Sequence, residues 1–133
     1  MSEQENLYDG HKGIVELDTS DLTKQSDGTA LPNLNEFQGI VYMLIFYAPW
    51  CGFCHQMADD VKDLAKHLHD EGFLVGAVNC ERNSDIDEKI QINGFPTVYF
   101  VKDDKAELYD KGRDLKSMVS HLCETLGKCG KKK

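Results

Sequence analysis

No hydrophobic run in this chain is long enough to cross a bilayer; the longest, around residues 41–47, falls far below the roughly 20 residues a spanning helix needs. Positive charge is also short, with 15 Lys and Arg against 23 Asp and Glu and a net charge of −8. Four of those lysines (Lys128, Lys131, Lys132 and Lys133) lie in the tail, so the body is more acidic than the total suggests. An acidic body repels phosphate backbones, which disfavours nucleic acid and anionic membranes as partners. The first 30 residues are polar and acidic and lack the apolar core of a secretory signal. A cytoplasmic protein is therefore the first expectation, with the endoplasmic reticulum lumen as the alternative if a leader was removed. There is no internal repeat, and no second close Cys-x-x-Cys accompanies the one at Cys51 and Cys54.

At 133 residues, 41% of them hydrophobic, the chain is long enough for one compact domain and too short for two. Residues 1–12 show no hydrophobic period and are expected to form a flexible arm, residues 13–127 the domain, and residues 128–133 a basic, solubilising tail. Ile14, Val15 and Leu17 predict a first strand. Between residues 18 and 38 the breaks at Ser26-Asp27-Gly28-Thr29 and at Pro32 predict a split helix whose better part covers residues 33–38. Residues 41–47 are rich in β-formers and predict a central strand covered on both faces. Met57, Val61, Leu64, Ala65 and Leu68 recur at helical spacing, closed by Gly72. Residues 73–78 then predict a strand, 84–91 a short helix, 97–101 a strand, and Asp103-Asp104 a hairpin to a strand at 107–109. Leu115, Met118, Val119, Leu122, Cys123 and Leu126 form one face of a final helix ended by Gly127. The order β-α-β-α-β-α-β-β-α predicts an α/β fold: a mixed sheet with helices on both faces, parallel where helices separate the strands and antiparallel at the last hairpin.

Two cysteines separated by two residues at the start of a helix can close a disulfide within one turn. The unpaired amides and dipole of the helix end favour a thiolate at Cys51, and thiolate is the species that attacks a disulfide. Cys51 is thus the candidate nucleophile and Cys54, one turn inside, the candidate resolving thiol. Trp50 can wall the site against solvent, and Gly52 lets another backbone approach Cys51. The competing reading is half a zinc site, completed by Cys80, Cys123, Cys129 or a histidine. Strand-to-helix context puts redox chemistry ahead of metal.

The stretch Phe46-Tyr47-Ala48-Pro49-Trp50-Cys51-Gly52-Phe53-Cys54 resembles the active site of the thioredoxin superfamily, and of its protein disulfide-isomerase branch in particular. Gly94-Phe95-Pro96-Thr97 resembles the family loop whose proline is cis and faces the cysteine pair. The resemblance covers about residues 14–126 and implies a thioredoxin fold. It further implies a thiol-disulfide oxidoreductase acting on protein substrates, with Trp50, Gly52, Phe53, Phe95 and Pro96 against the client, and an unidentified partner that recycles the pair. Arg113 matches an arginine that can move toward the second cysteine and ease its deprotonation. No cofactor or metal is implied, and a monomer is expected.

The departures from the family pattern have chemical consequences. Ile45 stands where the family places a buried acid beneath the pair, and Ala77 where the isomerase branch has its lysine partner; a carboxylate without that lysine would be costly, so the loss of both is consistent. Cys54 thereby loses its usual proton acceptor, which leaves water, Arg113 or His55 to assist and predicts slow turnover at neutral pH. Asp59 replaces a helix-kinking proline. Phe53 replaces a histidine that would place positive charge beside Cys51, which predicts a potential between about −270 and −180 mV, nearer the former. These losses motivate an alternative reading, a weakly active or non-catalytic module that binds extended peptides. Cys80 and Cys123 read as packed thiols, a Cys123–Cys129 bridge is not expected, His67 and His69 fall on different helix faces, and His11 and His121 read as solvated.

Overall fold

The computed structural model describes residues 6–128. Five strands form one mixed sheet: β1 (Ile14–Leu17), β4 (Tyr42–Tyr47), β5 (Leu74–Asn79), β6 (Thr97–Lys102) and β7 (Lys105–Tyr109), ordered β1-β5-β4-β6-β7. β2 (Leu22–Lys24) and β3 (Ala30–Pro32) make a separate antiparallel hairpin. Two α-helices complete the frame, α1 (Gly52–Leu68) and α2 (Leu115–Leu126).

The continuous apolar run around residues 41–47 becomes the central strand because both faces of β4 are covered, and all six of its residues are buried. Met43, Ile45 and Tyr47 point to the side carrying α1 and α2, where Met57, Val61, Leu64, Met118 and Leu122 meet them. Tyr42, Leu44 and Phe46 point to the other side, against Leu22, Leu31 and Phe37 of the hairpin and the 3-10 turn Asn35–Phe37. The helices predicted for residues 33–38 and 84–91 are thus 3-10 turns, Asn35–Phe37 and Ser84–Glu88, and the split helix of residues 18–38 is largely the β2-β3 hairpin. On this side the sheet packs close: a Cβ at Gly76 would lie 2.8 Å from Leu17 Cδ1.

Helix α1 begins where its sequence predicts and runs unbroken past Asp59; it stops at Leu68, and a 3-10 turn, His69–Glu71, carries the chain to the predicted stop at Gly72. Helix α2 starts with Asp114 accepting from the Ser117 amide at 3.1 Å and ends at Gly127, whose φ of 77° suits a residue without Cβ. The hairpin between β6 and β7 turns through Asp103 and Asp104, both left-handed, as its two-residue length demands.

β1 and β4 flank β5 in parallel, but β6 pairs with β4 antiparallel, not parallel as its place in the order suggests. A parallel return needs a crossover that runs back the length of the sheet, usually through a helix. The 80–96 connection between β5 and β6 holds no α-helix, only the 3-10 turn Ser84–Glu88, and does not run back along the sheet, so β6 starts at the end where β5 stops. That reversal brings residues 94–97 to the edge of the sheet where β4 delivers its chain to α1.

The segment ahead of β1 is packed and not a loose arm from residue 6 onward. Tyr8 is 0% exposed and stands edge-on to Tyr47 with ring centroids 5.4 Å apart. The Asn79 side-chain amide donates to Asn6 Oδ1 at 2.9 Å, and the Leu7 amide donates to the Tyr47 hydroxyl at 3.0 Å. Residues 1–5 and 129–133, and with them most of the basic tail and Cys129, lie outside the described residues.

Candidate active site

Cys51 is the N-cap of α1, and its Sγ accepts a hydrogen bond from the Cys54 amide at 3.4 Å. On the opposite side the Cys51 thiol donates to the Phe95 carbonyl at 3.6 Å. Phe95 precedes Pro96 in a cis peptide bond, so the loop foreseen to face the pair does so through its backbone. Cys51 is 7% exposed and Cys54 0%, which leaves the first sulfur nearer the opening and the second beneath it. Both are free thiols. Burial, chiefly, pushes the Cys54 thiol up to about 12; the Ala48 backbone pulls it down, Cys51 adds to the rise, and the Arg113 guanidinium lowers it.

Around the sulfurs stand exposed aromatics. Trp50 (57% exposed) is held by its indole N–H donating to Glu81 Oε1 at 2.7 Å and lies edge-on to Phe95 at 5.8 Å. Glu81 is itself positioned by its amide donating to Asn79 Oδ1 at 3.0 Å. Phe53 is 59% exposed, with the Arg113 guanidinium 5.5 Å from its ring centre. A cleft of about 540 Å³ runs between the first turns of α1 and the loop before α2, lined by Phe53, Met57, Asp60 and Arg113 among others. A smaller hollow of about 220 Å³ continues past Pro96, Leu108 and Tyr109. A Cβ at Gly52 would meet nothing within 4 Å, so that edge is open to an approaching chain.

All eight residues singled out in the sequence, Trp50, Cys51, Gly52, Phe53, Cys54, Phe95, Pro96 and Arg113, therefore gather at one end of the sheet. His55 does not turn toward the sulfurs; its ring contacts the Pro49 carbonyl. Ile45 and Ala77, where the family pattern has its acid and lysine, are register partners across β4 and β5, and both are fully buried.

Sequence reasoning missed a polar cluster behind this end. Glu16 lies in the same register row, opposite Ala77. Its carboxylate accepts from the Tyr47 hydroxyl at 2.6 Å and from the Tyr8 amide at 3.2 Å. Burial raises the Glu16 carboxyl from 4.5 to about 7, against the downward pull of those two hydrogen bonds. A glutamate amid the apolar alternation of Ile14, Val15 and Leu17 was the available signal.

Two other expectations change, for Cys123 and His121, while Cys80 packs as a free thiol as expected. Cys123 is disulfide-bonded and not a packed thiol; it is half-buried at the edge of the α2 stripe, near the helix end, where its sulfur can be reached. Cys80 packs half-buried, and burial raises its thiol to about 12. His121 is not solvated: it packs against Phe100 and Tyr109 at 5.2 and 5.0 Å. Among the described residues no group of three or more His, Cys, Asp or Glu side chains is placed to hold a metal ion.

Comparison with known proteins matches residues 32–124 to the family model described as Thioredoxin. Protein disulfide isomerase-like 2-1 of Oryza sativa subsp. japonica is 40% identical over 88 residues, 64% of this chain and 23% of that protein. Protein disulfide-isomerase MPD1 of Saccharomyces cerevisiae is 35% identical over 106 residues, 78% of this chain and 30% of its own length. The chain thus spans under a third of these relatives. Among solved structures, the J-Trx1 fragment of ERdj5 superimposes with a TM-score of 0.67 at 24% identity, covering 89% of this chain and 54% of that one.

Proposed function

The chain belongs to the thioredoxin family, and from that premise we propose that it exchanges disulfides with protein clients through Cys51 and Cys54. Its likeness to proteins named as disulfide isomerases supports an oxidoreductase family; the cysteine roles are our reading. The observation that carries it is the placing of Cys51 Sγ between the Cys54 amide and the carbonyl that precedes cis Pro96, with Cys54 buried one turn behind.

In the reductive direction, Cys51 as thiolate attacks one sulfur of a client disulfide. The client's other sulfur leaves as a thiolate, and a mixed disulfide remains. Cys54 then loses its proton and attacks Cys51 Sγ; the Cys51–client bond breaks and the client sulfur departs, so two electrons have passed from the pair to the client. The Phe95 backbone is suited to pair with an extended client strand, with Trp50 and Phe53 offering apolar contact on either side and Gly52 admitting the client's backbone. Arg113 reaches the ring of Phe53 from the loop before α2, where its charge favours the Cys54 thiolate.

The test is insulin reduction by the dithiol-regenerated protein, run beside Cys51→Ser and Cys54→Ser. Turnover that vanishes in the first, and a client-linked adduct that accumulates in the second, support the reading. Turnover that survives Cys51→Ser overturns it. The peptide-binding alternative rests on the exposure of Trp50 and Phe53; it is favoured if wild type binds unfolded chains without reducing insulin.

For compartment we favour the lumen of the endoplasmic reticulum over the cytoplasm. The relatives named for disulfide isomerisation point that way.

A further inference from the structure

Tyr8 is among the largest fully buried side chains of the core cluster that holds the cysteine pair. It is 0% exposed, yet its hydroxyl has no hydrogen-bond partner. A buried phenol left unpaired costs stability that a phenylalanine would not, so its presence asks for a state in which the hydroxyl is used. Its position suggests that state. The ring lies under α1 in the same core cluster as Cys54, with Lys62 Nζ 5.9 Å from the ring centre. Cys54, Ala58 and Lys62 follow one another at four-residue intervals on one stripe of the helix, with the small Ala58 between the two ends. Burial above all, with the charges of Cys54 and Glu16 adding to it, holds the hydroxyl protonated and therefore a donor. The polar and charged groups around it are Glu16 from β1, Tyr47 from β4 and Cys54 and Lys62 from α1, with Cys51 and Arg113 also acting on Cys54.

We propose that Tyr8 is a positioning residue for the resolving step, its hydroxyl donating a hydrogen bond to the Cys54 thiolate as that charge develops. The inference rests on the exchange reaction above. It assigns to a side chain from the segment before β1 part of the work lost with the buried acid at Ile45. During resolution the Cys51–client bond breaks, the Cys51–Cys54 bond forms, and the client sulfur leaves as a thiol with the proton that Cys54 gives up. Tyr8 keeps its own proton throughout. The client is reduced and the pair oxidised.

Tyr8→Phe removes only the hydroxyl and so separates this role from packing. In rapid-quench mixing of reduced protein with a fluorogenic disulfide peptide, attack by Cys51 is read from reporter release and resolution from the lifetime of the trapped mixed disulfide. Losing a hydrogen bond to a charged sulfur lengthens that lifetime about tenfold. The lengthening holds at every pH from 6 to 9, while the attack rate and the denaturation midpoint do not fall. An unchanged lifetime overturns the inference and leaves the exchange reading intact. Equal slowing of both steps, or a lowered midpoint, shows a structural role and also overturns it. If wild type forms no mixed disulfide at all, the exchange reading fails and this inference with it.

Discussion

Replacing Glu16 by glutamine should stabilise the protein at alkaline pH and leave it unchanged in acid. The carboxyl stands at about 7 in the folded protein against 4.5 in an open chain, chiefly because burial penalises its charged form. The folded state therefore holds this proton more tightly than the unfolded chain does. Below 4.5 the group is protonated in both states and costs nothing; as pH rises through 7 the folded protein must carry a buried carboxylate, and stability is lost. At about 1.36 kcal/mol per pH unit the full displacement corresponds to roughly 3 kcal/mol, which partial solvent screening reduces to about 2 kcal/mol. Glutamine keeps an oxygen to accept from the Tyr47 hydroxyl and the Tyr8 amide, so the substitution removes charge and spares the acceptor. Urea unfolding followed by circular dichroism at pH 4.5, 6, 7 and 8 measures the difference. A slope of 1–3 kcal/mol per molar converts it into a midpoint raised by about 1–2 M at pH 8 and a negligible change at pH 4.5. Two stability curves that run parallel across this range would refute the reasoning, because the hydrogen bonds and not the charge would then govern the site.

Ile45→Glu places a carboxylate at a fully buried position and lowers unfolding free energy by roughly 3–5 kcal/mol. Adding Ala77→Lys, its register partner across β4 and β5, recovers part of that loss, measured by chemical denaturation at pH 7. The same double variant should turn over insulin faster than wild type, since it restores an acceptor for the Cys54 proton; no acceleration would count against an acid-limited resolving step. Gly76→Ala costs roughly 1–3 kcal/mol in the same denaturation assay because the new methyl lies 2.8 Å from Leu17 Cδ1 and 3.3 Å from Phe37 Cζ.

The parts of the fold legible in the sequence were those with a sustained period or a sharp boundary. The apolar run of β4, the stripe of Met57, Val61, Leu64 and Leu68, and the Gly127 stop of α2 each carry enough consecutive information to stand alone. β2 and β3 have three residues each, too few for an alternation to show, and their pairing of Leu22 with Pro32 depends on the sheet they cover. The direction of β6 was hidden for a similar reason, since it follows from the lack of a crossover helix between residues 80 and 96 and not from any residue in the strand. Within the site, the cysteine pair and the Phe95-Pro96 loop were readable because their spacing carries chemistry. Tyr8 and Glu16 were not, because contacts such as Leu7 to Tyr47 join residues 40 apart and leave no local pattern. The disulfide at Cys123 was hidden too: helical spacing placed that cysteine on an apolar face and carries no sign of a bonding partner.

The chain has one tryptophan, and it is the residue immediately before Cys51. Trp50 is more than half exposed and anchored at a single polar contact to Glu81. All indole emission from this protein thus originates beside the Cys51 and Cys54 sulfurs. Closing a disulfide there quenches a neighbouring indole, and seating a client chain against the ring shifts its emission to the blue. The molecule carries its own optical gauge of redox state and occupancy, with no second indole elsewhere in the chain and no label to disturb the site.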